Sequence, residues 1–208
     1  MLDVRKIRLI LELREAGISN AKVLSAIEKI PREEFIHENF RNQAYENIAL
    51  PIDQNQTISQ PFVVAKMTEL LDVKSHHKIL EVGTGSGYQS AILSLLARRI
   101  YTVERIKSLY IKSEKIFEKL KITNVVCKYA DGNLGWKEQI PFDRIIITAA
   151  TSELSNLIFN HVKDGGIIVS PMIEKNKQLL IKYIIKDNKI IKEIHENVVF
   201  VPNLKGTQ

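Results

Sequence analysis

The sequence predicts an α/β fold on a doubly wound parallel sheet, with a helical segment before it and a β-rich segment after it. Three observations carry this expectation. Short apolar runs at residues 78–82, 100–103 and 144–148 alternate with stretches of helical periodicity, the pattern of strands buried on both faces and joined by crossover helices. A glycine-rich turn, Gly83-Thr84-Gly85-Ser86-Gly87, hands the first of these strands to a helix. Past residue 173 the helical period is lost, and residues 178–201 read as two strands around Asp187-Asn188.

Taken in order, residues 1–16 carry Leu2, Ile7, Ile10, Leu11 and Leu13 at helical spacing, and Gly17 stops the helix. Ser19 or Asn20 can cap a second short helix through Ile27, and Pro31 suits the first turn of a third. Residues 45–60 have little periodicity and read as an ordered loop. Pro61 then opens a helix whose apolar face is Val63, Val64, Met67, Leu70 and Leu71. The body follows as strand 78–82, helix 88–96, strand 100–103, helix 108–120, strand 125–129, strand 144–148 and helix 153–161. Gly165-Gly166 turns into a last strand at 167–170. One domain over 1–208 is expected: a helical segment at 1–60, a cofactor-binding α/β core at 61–172 and a C-terminal β segment at 173–208.

Composition narrows the class. The 208 residues are 45% hydrophobic and 26% charged, with the two kinds interleaved, which argues against intrinsic disorder. The single cysteine, Cys127, cannot form an internal disulfide or a cysteine-based zinc cluster, and its run Val125-Val126-Cys127 reads as a buried strand position. No metal is expected. No apolar stretch approaches the roughly 20 residues needed to span a bilayer, and the N-terminus lacks the features of a cleaved leader. A soluble cytoplasmic protein, acting as a monomer away from membranes, is expected. The net charge is +6, but the lysines are spread over 107–121 and 175–192 rather than gathered into a basic arm, so they read as solvated faces and not as a nucleic-acid site.

The site chemistry starts at Ile79-Leu80-Glu81-Val82-Gly83-Thr84-Gly85-Ser86-Gly87-Tyr88, where a strand meets a helix and ligands bind in such sheets. A nicotinamide fingerprint needs a third glycine where Tyr88 stands. The Glu-x-Gly-x-Gly-x-Gly form instead resembles the loop that meets the amino-acid moiety of S-adenosylmethionine. Glu104 ends the next strand, about 20 residues after Gly83, where a carboxylate can accept hydrogen bonds from both ribose hydroxyls. Asp131, followed by Gly132, ends the third strand. It is placed to hold an adenine amino group, and it equally fits an ordinary Asp-Gly turn.

Along almost its whole length the chain resembles the bacterial protein-L-isoaspartate (D-aspartate) O-methyltransferase family. The resemblance rests on Pro31-Arg32-Glu33-Glu34-Phe35, Ala44-Tyr45-Glu46-Asn47-Ile48-Ala49-Leu50-Pro51-Ile52, Gln56-Thr57-Ile58-Ser59-Gln60-Pro61 and the glycine loop. It continues through Val103-Glu104-Arg105, Asp131-Gly132, Leu134-Gly135-Trp136, Pro141-Phe142-Asp143, Thr148-Ala149-Ala150 and Phe200-Val201-Pro202. The glycine loop specifies a methyltransferase, and the Thr-Ile-Ser-Gln-Pro segment specifies this family. The resemblance implies a Rossmann-like methyltransferase sheet that binds S-adenosyl-L-methionine through Thr57, Ile58, Ser59, Glu81, Gly83, Thr84, Gly85, Ser86, Gly87, Glu104, Arg105, Asp131, Gly132 and Thr148. It implies that Ser59 is the active-site residue, with Val201 and Pro202 beside it on the substrate. The implied partners are damaged proteins carrying isoaspartyl residues. From position alone, Ser59 could also cap the helix that starts at Pro61, but the surrounding motif favours the active-site role.

Four positions depart from the family pattern of glycines: Asp53, Asn55, Ala130 and Ile173. Asp53 and Asn55 tolerate turn geometry, although Asp53 puts a negative charge near a site for an anion. Ile173 does not readily take positive φ, so an altered loop after Pro171 is expected. Two rival functions fit the sequence less well. A base methyltransferase calls for Asp/Asn-Pro-Pro-Tyr where Thr148-Ala149-Ala150 stands, or for a nucleophilic cysteine that Cys127 does not provide. A non-catalytic cofactor-binding module would have no use for Ser59 and its flanks.

Overall fold

The computed structural model describes residues 3–187 and 189–208, so Leu2 and Asn188 lie outside the described residues. Helix α1 spans Val4–Glu15 and is capped by Asp3, whose side chain accepts the Arg5 amide. Asn20 caps α2, Ala21–Lys29, by accepting the amides of Lys22 and Val23. The third N-terminal helix reduces to a single 3₁₀ turn, Arg32–Phe35, after Pro31. Residues 45–60 contain a minimal antiparallel pair, β1 (Leu50–Pro51) and β2 (Thr57–Ile58). Its loop takes left-handed backbone at Gln54 and Asn55, so Asn55 does the conformational work of a glycine, as asparagine can. Asp53 pairs with Lys112 at 2.8 Å, which neutralises the charge that was expected near the site. Pro61 is the first residue of α3, Pro61–Leu70.

The body runs β3 (Lys78–Val82), α4 (Tyr88–Ser94), β4 (Arg99–Glu104), α5 (Lys107–Lys119), β5 (Val125–Tyr129), β6 (Phe142–Ile147), α6 (Asn156–His161), β7 (Val162–Glu174), β8 (Lys177–Lys186) and β9 (Lys189–Asn197). Among the described residues, seven strands form one sheet in the order β5-β4-β3-β6-β7-β8-β9. The first five pair in parallel, and β8 and β9 add antiparallel hairpins. The C-terminal β segment is therefore an extension of the same sheet. Strand β7 is longer than expected because Gly165-Gly166 lies within it; the register shift against β6 absorbs the glycines. Ile173 lies in β7 opposite Gln178, and positive φ falls on Lys175 and Asn176 instead. The expected conflict at Ile173 does not arise. Ala130 simply extends the sheet by donating its amide to Glu104 O at 3.0 Å.

One face of the sheet packs against α3 and α4 through Met67, Leu71, Leu93, Ile79, Ile100 and Ile146, and Leu13, Ile27, Phe35, Tyr88 and Phe117 join α1 and α2 to α4 and α5 above it. Leu80, Phe142, Ile145, Ile158 and Ile168 fill the space between the other face and α6. The chain winds outward from β3 through β4 to β5, then returns to start β6 on the other side of β3. That reversal leaves a crevice at the carboxyl ends of β3, β4 and β6. Register sets the depth of the site: Val82 is opposite both Val103 and Ile147. Gly83, Glu104 and Thr148 consequently emerge at one level.

Candidate active site

The glycine loop is shaped by what lies against it. Gly83, Gly85 and Gly87 all have positive φ. A Cβ at Gly83 would fall on Thr148 Oγ1, and one at Gly87 would meet the Phe117 ring. At Gly85 a Cβ would meet nothing, because Gly85 borders an open cavity of about 100 Å³. Thr148 pins the loop from β6, its hydroxyl donating to Gly83 O at 2.5 Å.

That cavity is walled by Val103, Ile106 and Leu109 on the β4–α5 side and by Val201, Pro202 and Leu204 on the other, with Glu104, Arg105 and Gly132 between. Glu104 is buried, and its two oxygens accept the amides of Gly85 and Ile106, each at 2.8 Å. Burial raises the Glu104 pKa, opposed by those amide bonds. A smaller hollow of about 40 Å³ continues past Thr84, Ser86 and Gln89 to Ile58 and Ser59. Beyond Ser59 opens a groove of about 370 Å³ between α3 and the end of β9. Ser59 borders both the hollow and the groove, and Thr57 lines all three spaces.

The helix-cap reading of Ser59 does not hold. The N-cap of α3 is Gln60, with no side-chain cap bond. Ser59 is held through its backbone instead, because its carbonyl accepts from Arg32 at 3.1 Å. The Arg32 guanidinium is fully buried and also donates to the carbonyls of Ala44, Glu46 and Ile48. One side chain thereby gathers the whole loop that ends in Ser59. The sequence reading assigned Arg32 no role, since a buried arginine leaves no periodic signal.

The other residues singled out in the sequence fall into three positions. Thr57, Ile58, Ser59, Gly83, Thr84, Gly85, Ser86, Glu104, Arg105, Gly132 and Thr148 all line the cavity or its hollow. Glu81 and Gly87 stand behind the loop. Glu81 is fully buried, bonded to Ser90 and raised to about 7 by burial, while Gly87 starts α4. Asp131 is engaged by the chain itself: Oδ1 accepts from Asn133 and Oδ2 accepts the Gly206 amide at 2.7 Å. Partial burial pushes the Asp131 carboxyl up, but the Gly206 and Asn133 donors outweigh it and hold it below its usual range. Residues 203–208 lace over this side of the cavity, with Gln208 bonded to the backbone of Arg105 and Lys107. Val201 and Pro202 border the cavity, whereas the groove is bordered by the preceding residues up to Phe200. Cys127 lies in β5 as read, but it is half-buried because β5 is the sheet edge. Burial pushes its thiol up to about 12, an inert environment for a nucleophile.

A doubly wound sheet with a glycine loop, a buried carboxylate at the end of the neighbouring strand and a polar side chain between two openings defines the class of Rossmann-like methyltransferases. The family model for protein-L-isoaspartate(D-aspartate) O-methyltransferase matches residues 4–208. The chain is 47% identical over 204 residues to a protein-L-isoaspartate O-methyltransferase of Maricaulis maris, covering 98% of this chain and 96% of that one. It is 48% identical over 207 residues to the protein of the same name from Parvibaculum lavamentivorans, covering 98% and 93%. A solved protein-L-isoaspartate O-methyltransferase superposes with a TM-score of 0.87 at 26% identity over 95% of this chain and 65% of that one. A structure from Plasmodium falciparum, described as an enzyme of this kind in complex with S-adenosyl-L-homocysteine, superposes at 0.85 and 26% identity, over 96% and 98%. This chain belongs to the protein-L-isoaspartate(D-aspartate) O-methyltransferase family.

Proposed function

We propose that the protein is a repair enzyme that uses S-adenosyl-L-methionine to methylate the free α-carboxylate of L-isoaspartyl residues in damaged proteins. The observation that carries this reading is the position of Ser59 between the hollow at the glycine loop and the open groove. The residues present fit the cofactor. Gly85 leaves room for close backbone approach, and each Glu104 oxygen accepts one amide, which leaves lone pairs for two ribose hydroxyls. The apolar wall of Val103, Ile106 and Leu109 suits a purine face. On this reading Thr57, Ile58, Gly83, Thr84, Ser86, Arg105, Gly132 and Thr148 complete the cofactor site. Glu81 and Gly87 support its loop, and Asp131 orders its adenosine side through the C-terminal residues.

When bound, the cofactor supplies an electrophilic sulfonium methyl. The chain has little proton chemistry to perform, because a carboxylate with a pKa of about 4 is already ionised at neutral pH. Ser59 orients that anion by a charge-assisted hydrogen bond. Arg32 holds the Ser59 segment in place, so that the carboxylate can be held in line with the methyl. The backbone amide nitrogen that follows attacks the methyl ester and expels methanol to close a succinimide, and addition of water to that ring returns part of the material as ordinary aspartate.

Damaged proteins are thus the proposed partners, with no role for nucleic acid or membrane. The scattered lysines support this, and no helix among the described residues is long and apolar enough to cross a membrane. We place the enzyme in the cytoplasm as a monomer. The test is methyl incorporation from labelled cofactor into two peptides that differ only in L-aspartate or L-isoaspartate. A difference of orders of magnitude is expected. Equal labelling of the two, or labelling of RNA alone, would remove the repair assignment.

A further inference from the structure

We infer that Lys66 and Glu196 form a charge-reading wall in the groove beside Ser59, through which the enzyme favours an acidic residue next to the isoaspartyl and disfavours a basic one. The inference rests on the repair reading above and adds to it a determinant of substrate choice.

Lys66 and Glu196 are the only charged residues that line the groove among the described residues. The rest of its lining is apolar or neutral, including Phe62, Val63 and Val198. Lys66 comes from α3, the helix that follows directly on Ser59, and Glu196 comes from the end of β9. Their Nζ and Oε1 atoms meet at 2.9 Å, with the side chains 22% and 39% exposed. A peptide lying in the groove with its isoaspartyl at Ser59 would carry a neighbouring side chain past this pair.

The pair is asymmetric, which decides the sign. Glu196 Oε2 is buried without a partner, so the carboxylate faces the groove only through the oxygen it already shares with Lys66. The ammonium has three donors, of which Glu196 takes one. The wall therefore offers two free donors on Lys66 against a single groove-facing carboxylate oxygen that Lys66 already shares. A glutamate or aspartate on the substrate can join Lys66, while a lysine or arginine meets a cation whose counter-ion is already engaged. Glu196 acts as an attenuator that keeps the preference small, as suits an enzyme that must accept many clients.

The experiment measures kcat/KM for isoaspartyl peptides identical except for Glu, Gln or Lys beside the isoaspartyl, tried on either side. The wild type should favour Glu over Lys by about threefold, within the range of partly exposed ion pairs, and the ratio should shrink at high salt. Glu196→Gln removes the attenuator and should raise the ratio to roughly tenfold. Lys66→Gln leaves only the carboxylate and should bring the ratio below one, and Lys66→Arg should keep the wild-type order. Each ratio is internal to one variant, so partial loss of folded enzyme cancels. If both Gln variants lose activity equally on all three peptides, or keep the wild-type ratio, the pair merely ties α3 to β9 and the inference is overturned. If the wild type methylates none of the peptides, the repair reading itself fails, and this one with it.

Discussion

The Glu104 carboxylate accepts the amide of Gly85 at 2.8 Å, bridging the ends of β4 and β3 across the crevice where the sheet reverses its winding. A side chain proposed to hold the ribose thus also braces the glycine loop. The same carboxylate takes the Ile106 amide, which starts α5.

Replacing Glu104 with Ala should therefore weaken cofactor binding by roughly 1.5–3 kcal/mol, the usual worth of hydrogen bonds to a buried charge. That corresponds to about tenfold or more in affinity. Glu104→Gln, which keeps one acceptor, should fall between the two. Calorimetric titration with S-adenosyl-L-methionine measures this directly. Unchanged affinity in a folded Glu104→Ala protein would place the ribose elsewhere.

Ser59→Ala should lower kcat on an isoaspartyl peptide while cofactor affinity stays within a few-fold, the signature of an interaction made mainly in the transition state. Because Gln60 and not Ser59 is the N-cap of α3, the melting temperature should be unchanged. A drop of several degrees would restore the capping role.

Arg32 is expected to behave differently. Its guanidinium satisfies the carbonyls of Ala44, Glu46, Ile48 and Ser59. Arg32→Met would leave buried acceptors unpaired and should cost about 2–4 kcal/mol of stability. Activity should fall beyond that loss, since Ser59 is no longer held, and denaturant titration beside peptide kinetics separates the two effects. A variant as stable as the wild type would mean that the loop is held by other contacts.

Glu81 gives a pH prediction. Its folded-state pKa of about 7 stands above the ordinary 4.5, chiefly because it is wholly buried. Between about 4.5 and 7 the folded protein holds a proton that the unfolded chain has released. Stability from this group is complete below pH 4.5 and is lost as the pH rises through 7. Glu81→Gln keeps an acceptor for Ser90 and carries no charge. It should melt higher than the wild type at pH 8, by an amount equivalent to at most roughly 3 kcal/mol. The gap should close at pH 5. An equal difference at both pH values would show that Glu81 does not titrate in this range.

By itself the sequence determined the order and kind of nearly every element of the α/β body, because strands buried on both faces must be apolar throughout and helices must show one apolar stripe. It also located the glycine turn between β3 and α4, since only glycine fits positions that combine positive φ with a neighbour such as Thr148 or Phe117 at Cβ distance. Residues 45–60 were legible only as a loop. Their order comes from Arg32, a contact between segments that no local pattern encodes. Whether Ser59 caps a helix or faces a cavity was likewise decided by the path of the chain into Pro61. Asp131 was singled out by spacing, yet its bond to Gly206 depends on a tail that returns across the sheet. The groove and its Lys66–Glu196 wall exist only because β9 is laid beside α3. Local chemistry writes elements and turns into the sequence, whereas the pairing of side chains far apart along the chain is fixed only when the sheet closes on itself and the core excludes every other arrangement.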